Sequence, residues 1–90
     1  MSVRVNLSAG LVHAAGGLEI INATGNTVGE CLENIIAQFP KIREQLLNKE
    51  GKVRSYVLIL LNGENVYPDE LSKRVKNGDE ISILFIVEGG

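Results

Sequence analysis

The sequence predicts an α+β domain: a mixed sheet of four to five strands crossed by one main helix and one short helix. Three observations carry this. Val3, Val5 and Leu7 alternate with Arg4 and Asn6, the period of a strand with one dry face. Apolar residues recur at helical offsets from Thr27 to Phe39. Two later runs, Ser55–Leu61 and Ile81–Val87, are apolar on both alternations, which suits central strands, often parallel to a neighbour.

Taken in order, the first strand leads into Ser8–Gly17, small and glycine-containing, which reads as a loop. Leu18–Ala23 reads as a second strand, forming a hairpin with the first, and Thr24-Gly25-Asn26 as a turn. Thr27 and Glu30 then have the spacing of a capping box. Val28, Cys31, Leu32, Ile35, Ile36 and Phe39 form one apolar stripe that outweighs the cost of Gly29. Pro40 ends the run and can open a short second helix, Lys41–Asn48, with Ile42, Leu46 and Leu47 inward. Lys49–Lys52 is a polar loop. After the strand Ser55–Leu61, Asn62-Gly63 signals a tight turn and Asn65–Tyr67 a short returning strand ended by Pro68. Leu71 and Val75 read as anchors under a surface connection, Lys76–Asp79 as another turn, and Ile81–Val87 as the last strand. A hairpin, a right-handed helical crossover and a return to a parallel centre make a β-grasp arrangement. Residues 1–90 form a single such domain with an extended C-terminal Gly-Gly tail.

Ninety residues suffice for one small domain with one core. Hydrophobic residues make up 44% and charged residues 22%, as in ordinary globular domains. The net charge of −2 leaves no basic excess to neutralise phosphates, which argues against nucleic acid as a partner. The longest apolar runs are too short to span a bilayer, and the N-terminus has no signal-peptide core, so a cytoplasmic protein without a membrane partner is expected. A single cysteine excludes an internal disulfide, and one cysteine with one histidine makes a protein-only zinc site an unlikely expectation.

The segment Val75–Gly90, VKNGDEISILFIVEGG, ends in an apolar strand followed by two glycines. It resembles the end of ThiS/MoaD-type ubiquitin-like sulfur carriers. TVGECLENI is similar to the opening of that family's first helix, FPKIREQL to a segment of its longer members, and LNGENV to its turn after the third strand. The resemblance implies that the carboxylate of Gly90 is adenylated by an E1-like enzyme using ATP and converted to a thiocarboxylate, the sulfur being installed by a sulfurtransferase or by the same enzyme. It implies as acceptor a molybdopterin synthase large subunit, a thiazole synthase or a cysteine-synthase-like enzyme, in the first case with this chain as the synthase's small subunit. The carrier itself binds no cofactor and is a protein cosubstrate rather than an enzyme. Molybdopterin carriers often have prolines where Phe85 and Ile86 stand and a small residue where Glu88 stands, so the destination stays open.

Elementary chemistry fits the tail. An α-carboxyl with a pKa near ~3.5 is an anion at neutral pH. Gly89 and Gly90 lack Cβ atoms, so backbone can approach backbone in a narrow channel, and Glu88–Gly90 extended reaches about 10 Å. A frayed terminus is the plain alternative. One main helix covers only one sheet face. If Ile81 and Ile83 face it, then Ser82, Leu84 and Ile86 face away, joined by Leu58 and Leu60, as an exposed apolar partner-binding patch. Burial of that patch by self-association or by the loop after Tyr67 is the alternative, and a one-residue slip would exchange the two sets.

Other chemistry-bearing residues read as structural. Cys31 lies on the helix stripe as a buried thiol. His13 is an exposed bystander in a flexible loop, and Gly16-Gly17 is too short for a phosphate cradle. Asp69-Glu70 and Asp79-Glu80 are solvated turn acids. Lys73, Arg74 and Lys76 form a basic cluster suited either to steering an acidic partner or to plain solvation. Rival functions are a ubiquitin-like modifier joined to lysines through Gly90, and an interaction module in which the glycines are incidental.

Overall fold

The computed structural model describes residues 1–86. The chain runs β1 (Ser2–Leu7), α1 (Ala9–Val12), a 3-10 turn (His13–Ala15), β2 (Ile20–Thr24), α2 (Val28–Gln38), α3 (Ile42–Leu46), β3 (Val57–Leu61), β4 (Glu64–Asn65) and β5 (Glu80–Phe85). The strands form one mixed sheet in the order β2-β1-β5-β3-β4. β1 pairs antiparallel with β2 and parallel with β5, while β3 pairs antiparallel with both β5 and β4. This is the expected β-grasp topology, with a parallel centre.

The alternation seen in sequence becomes two faces. Val3, Val5, Leu7, Ile21, Ala23, Val57, Ile59, Leu61, Ile81 and Ile83 are buried on the inner one. Val28, Cys31, Leu32, Ile35 and Ile36 of α2 join the same core, as do Ile42, Leu46 and Leu47. The α2 N-terminus is capped as the Thr27/Glu30 spacing predicts, with one shift. The Glu30 amide donates to Thr27 Oγ1 at 3.1 Å, but the Glu30 carboxylate accepts from the Asn26 amide at 2.8 Å, a residue before the cap. Gly29 has a packing reason: a Cβ there would lie 2.7 Å from the backbone oxygen of Leu71, which accepts the Gly29 N–H at 3.0 Å.

Several expectations are corrected. Ser8–Gly17 is not a loop but α1 and the 3-10 turn, because Leu11, Ala14 and Ala15 bury against the core and fix a helical backbone. His13 consequently sits in helical backbone, exposed, rather than in a flexible loop. The sheet is therefore accompanied by three short-to-medium helices, not two. β2 starts two residues later than expected and includes Thr24, since Ile21 and Ala23, opposite Val5 and Val3, are the inward pair. β3 begins at Val57, and β4 is Glu64–Asn65 rather than Asn65–Tyr67, set by its pairing with Leu61 and Leu60. β5 is Glu80–Phe85; the predicted end at Val87 lies outside the described residues. Val75 is the anchor foreseen, whereas Leu71 is exposed and contributes its carbonyl instead.

The Asn62-Gly63 turn has positive φ at both residues, 52° and 86°, as a tight hairpin of this twist needs. Asn62 also ties that turn to β5. Its side chain accepts from the Glu80 amide at 2.9 Å and donates to Asp79 Oδ1 at 3.0 Å.

Candidate functional site

The outward alternation of β3 and β5 forms the candidate site. Strand register places Leu58 opposite Leu84 and Leu60 opposite Ser82. Their neighbours Val57, Ile59, Ile81 and Ile83 are buried inward, so the assignment of faces follows the expectation without a slip. Leu84 is 39% and Ile86 48% exposed, and Leu58 and Leu60 are half-buried. Tyr56, 43% exposed, accepts the Ile86 amide through its carbonyl at 2.7 Å, while its ring turns to Phe85 on the helix side rather than joining the outward alternation.

Along β1 the same face is polar, with exposed Ile20 of β2 beyond it, opposite Asn6. Arg4 stands opposite Glu80 with a contact of 3.6 Å, and Asn6 Nδ2 donates to Ser82 Oγ at 3.4 Å. The surface thus divides into an apolar end on β3–β5 and a hydrogen-bonded end on β1–β5. Exposed apolar groups clustered in this way are a usual mark of a partner site. Gly89, Gly90 and Glu88, the residues assigned to the reactive tail, lie outside the described residues. They follow Ile86 in sequence, and Ile86 is the last described residue of the apolar end.

The remaining candidates are not brought together. Cys31 is fully buried in the core, and its burial raises the thiol pKa, as suits a structural residue. Asp79 is a turn acid held low: the Asn62 amide and then the Lys76 backbone N–H, donating at 2.7 Å, both favour its charged form. Glu80 faces Arg4 instead of forming a carboxylate pair with Asp79. Lys73, Arg74 and Lys76 are exposed, as are Gly16 and Gly17. Among the described residues, no group of three metal-ligating side chains occurs, and no helix is long and apolar enough to cross a membrane.

Fold and face define a class: a ubiquitin-like β-grasp domain with one sheet face covered and the other partly apolar. The ThiS family model matches residues 5–90, and the chain belongs to that family. It is 31% identical over 93 residues to the sulfur carrier protein CysO of Mycobacterium tuberculosis, covering all of both chains. It is 34% identical over 91 residues to a putative sulfur carrier protein of Archaeoglobus fulgidus, again end to end. Among solved structures, it superposes on the Amycolatopsis orientalis BexX/CysO complex with a TM-score of 0.88 at 30% identity, covering 98% of this chain and 99% of that one. The small archaeal modifier protein 1 of Methanosarcina acetivorans gives a TM-score of 0.86 at 29% identity, with 99% and 96% covered.

Proposed function

We propose that this chain is a sulfur carrier whose cargo is held as a thiocarboxylate on Gly90. The observation that supports it most is the end-to-end match to carriers of this family, which runs through the final Gly-Gly. The carboxylate of Gly90 attacks the α-phosphorus of ATP in an E1-like partner, and pyrophosphate leaves. A sulfide-level nucleophile, delivered by a sulfurtransferase or by the same enzyme, then attacks the acyl carbon of the adenylate and AMP leaves. The resulting thiocarboxylate hands its sulfur to an acceptor synthase in cysteine or cofactor biosynthesis. The ATP belongs to the partner's site. The chain contributes a reactive end, a backbone slim enough to enter a channel, and a docking face. In this reading Leu58, Leu60, Leu84 and Ile86 dock on the partner and Gly89 and Glu88 line the entry path. The BexX/CysO complex supports a synthase-type partner by kinship of its carrier chain.

A second reading keeps the same chemistry as far as the adenylate and ends on a lysine of a target protein. The similarity to a small archaeal modifier favours it. One experiment separates the two. Incubation with the host's E1-like enzyme, ATP and sulfide should yield a free thiocarboxylate that alkylates with iodoacetamide, and a chain lacking Gly90 should yield none. Lysine-linked conjugates in host extract that depend on Gly90, without any free thiocarboxylate, would establish the modifier reading instead.

A further inference from the structure

The end of β5 is held by side-chain contacts as well as by the sheet ladder, whose next rung is the Ile86 amide on the Tyr56 carbonyl. Phe85 stands opposite Val57, on the inward alternation, and packs against the core while staying partly exposed. Its ring lies directly over α1. A Cβ at Gly10 would fall 2.6 Å from Phe85 Cε2 and 2.7 Å from Cδ2, so only glycine lets the ring sit there. Tyr56 meets the same ring edge-on, with centroids 5.8 Å apart and planes at 73°. The carbonyl of Tyr56 takes the Ile86 amide, one residue further along. α1 is fixed in turn by buried Leu11 and by the Ser8 amide, which donates to the Ile83 carbonyl at 3.0 Å.

We infer that Gly10, Phe85 and Tyr56 form a collar that sets the direction in which the C-terminal segment leaves the body. It is a positioning device for presenting Gly90 to the activating enzyme, and it rests on the sulfur-carrier reading. The geometry makes the direction matter. Gly90 lies four residues beyond Ile86, a reach of at most about 14 Å, so the point and direction of release at Ile86 bound where the carboxylate can arrive. Attack requires reacting atoms held about 3–3.5 Å apart. A docked body with a misdirected exit binds its enzyme and reacts slowly.

The test compares Gly10→Ala, Phe85→Ala and the double variant, all full-length. Amide exchange at Ile86 reports the exit. ATP–pyrophosphate exchange with the host's E1-like enzyme reports adenylation. Gly10→Ala clashes with ring atoms rather than backbone, so the ring moves while α1 stays. It should speed Ile86 exchange at least 5-fold and lower kcat at least 5-fold, with KM changed less than 2-fold. The double variant should be no slower than Phe85→Ala alone, because without a ring there is nothing to displace. Should Gly10→Ala melt below the assay temperature, Phe85→Leu carries the same two readouts. The proposal is overturned if Ile86 exchange and kcat stay at wild-type values, if exchange rises while kcat does not fall, or if kcat falls with Ile86 still protected. Absence of pyrophosphate exchange with the wild-type chain is a separate failure: it removes the sulfur-carrier reading, and the collar's role with it.

Discussion

The inward and outward alternations of β5 share one backbone and have different tasks. Ile81 and Ile83 are wholly buried and hold α2 to the sheet. One residue along, Leu84 stays 39% exposed although it is just as apolar. The inner set is explained by folding alone. The outer set is not, since the fold supplies nothing among the described residues to cover it. The outer face is itself divided: Arg4, Asn6, Ser82 and Glu80 satisfy one another, while Leu58, Leu60, Leu84 and Ile86 stay half-buried or exposed. An apolar group left on a surface beside polar neighbours of the same strand is a usual mark of an association site, which is the role proposed for it here.

The largest expected effect lies on the inner set. Ile83→Ala should cost about 2–5 kcal/mol in denaturant unfolding, through lost burial and the cavity left behind. In a domain of this size that is a large share of the total. A cost below about 1 kcal/mol would mean that the two alternations are less distinct than their burial indicates. Next comes Leu84→Glu. Unfolding free energy should change by less than about 1 kcal/mol, while affinity for the activating enzyme in a titration falls about 10–100-fold, the loss expected from charging the centre of an interface. Equal damage to stability and binding would break the distinction between the faces.

Much of this comparison was legible in sequence. Ser82 is the one polar residue in the run Ile81–Val87, and it marks the outward parity correctly. Counting back from the Asn62-Gly63 turn, which joins β3 to β4, gives the parity of β3, so Leu58 and Leu60 followed. The covering of Ser8–Gly17 by helix was not legible. A four-residue helix has too few turns to show a period, and its formation depends on burying Leu11 against strands distant in sequence. The same distance hides the collar: nothing near Gly10 announces that the Phe85 ring will lie on it. Leu71 misled because an apolar residue in a long connection suggests an anchor, whereas its carbonyl makes the contact that matters.

The smallest expected effect sits at the polar end of the face. Asp79 is hydrogen-bonded by Asn62 and by the Lys76 amide, which lowers its pKa in the folded chain. A lowered carboxylate pKa gives stability that is present above the unfolded value of about 3.9 and is lost as pH falls through the folded value. Asp79→Asn should therefore reduce the melting temperature slightly at pH 7 and flatten its decline below about pH 4. An unchanged acid limb would show that this turn does not couple to folding. Partner affinity at neutral pH should be untouched by that substitution, in contrast to Leu84→Glu.

The central claim concerns the carboxylate that ends the chain, and intact-mass measurement of protein from its native host addresses it most directly. The account predicts an oxygen-for-sulfur increment confined by fragmentation to Gly90 and lost when that residue is deleted. A chain that continues beyond Gly90 in its mature form, or that carries only a plain carboxylate there even with activating enzyme, ATP and sulfide supplied, would contradict it.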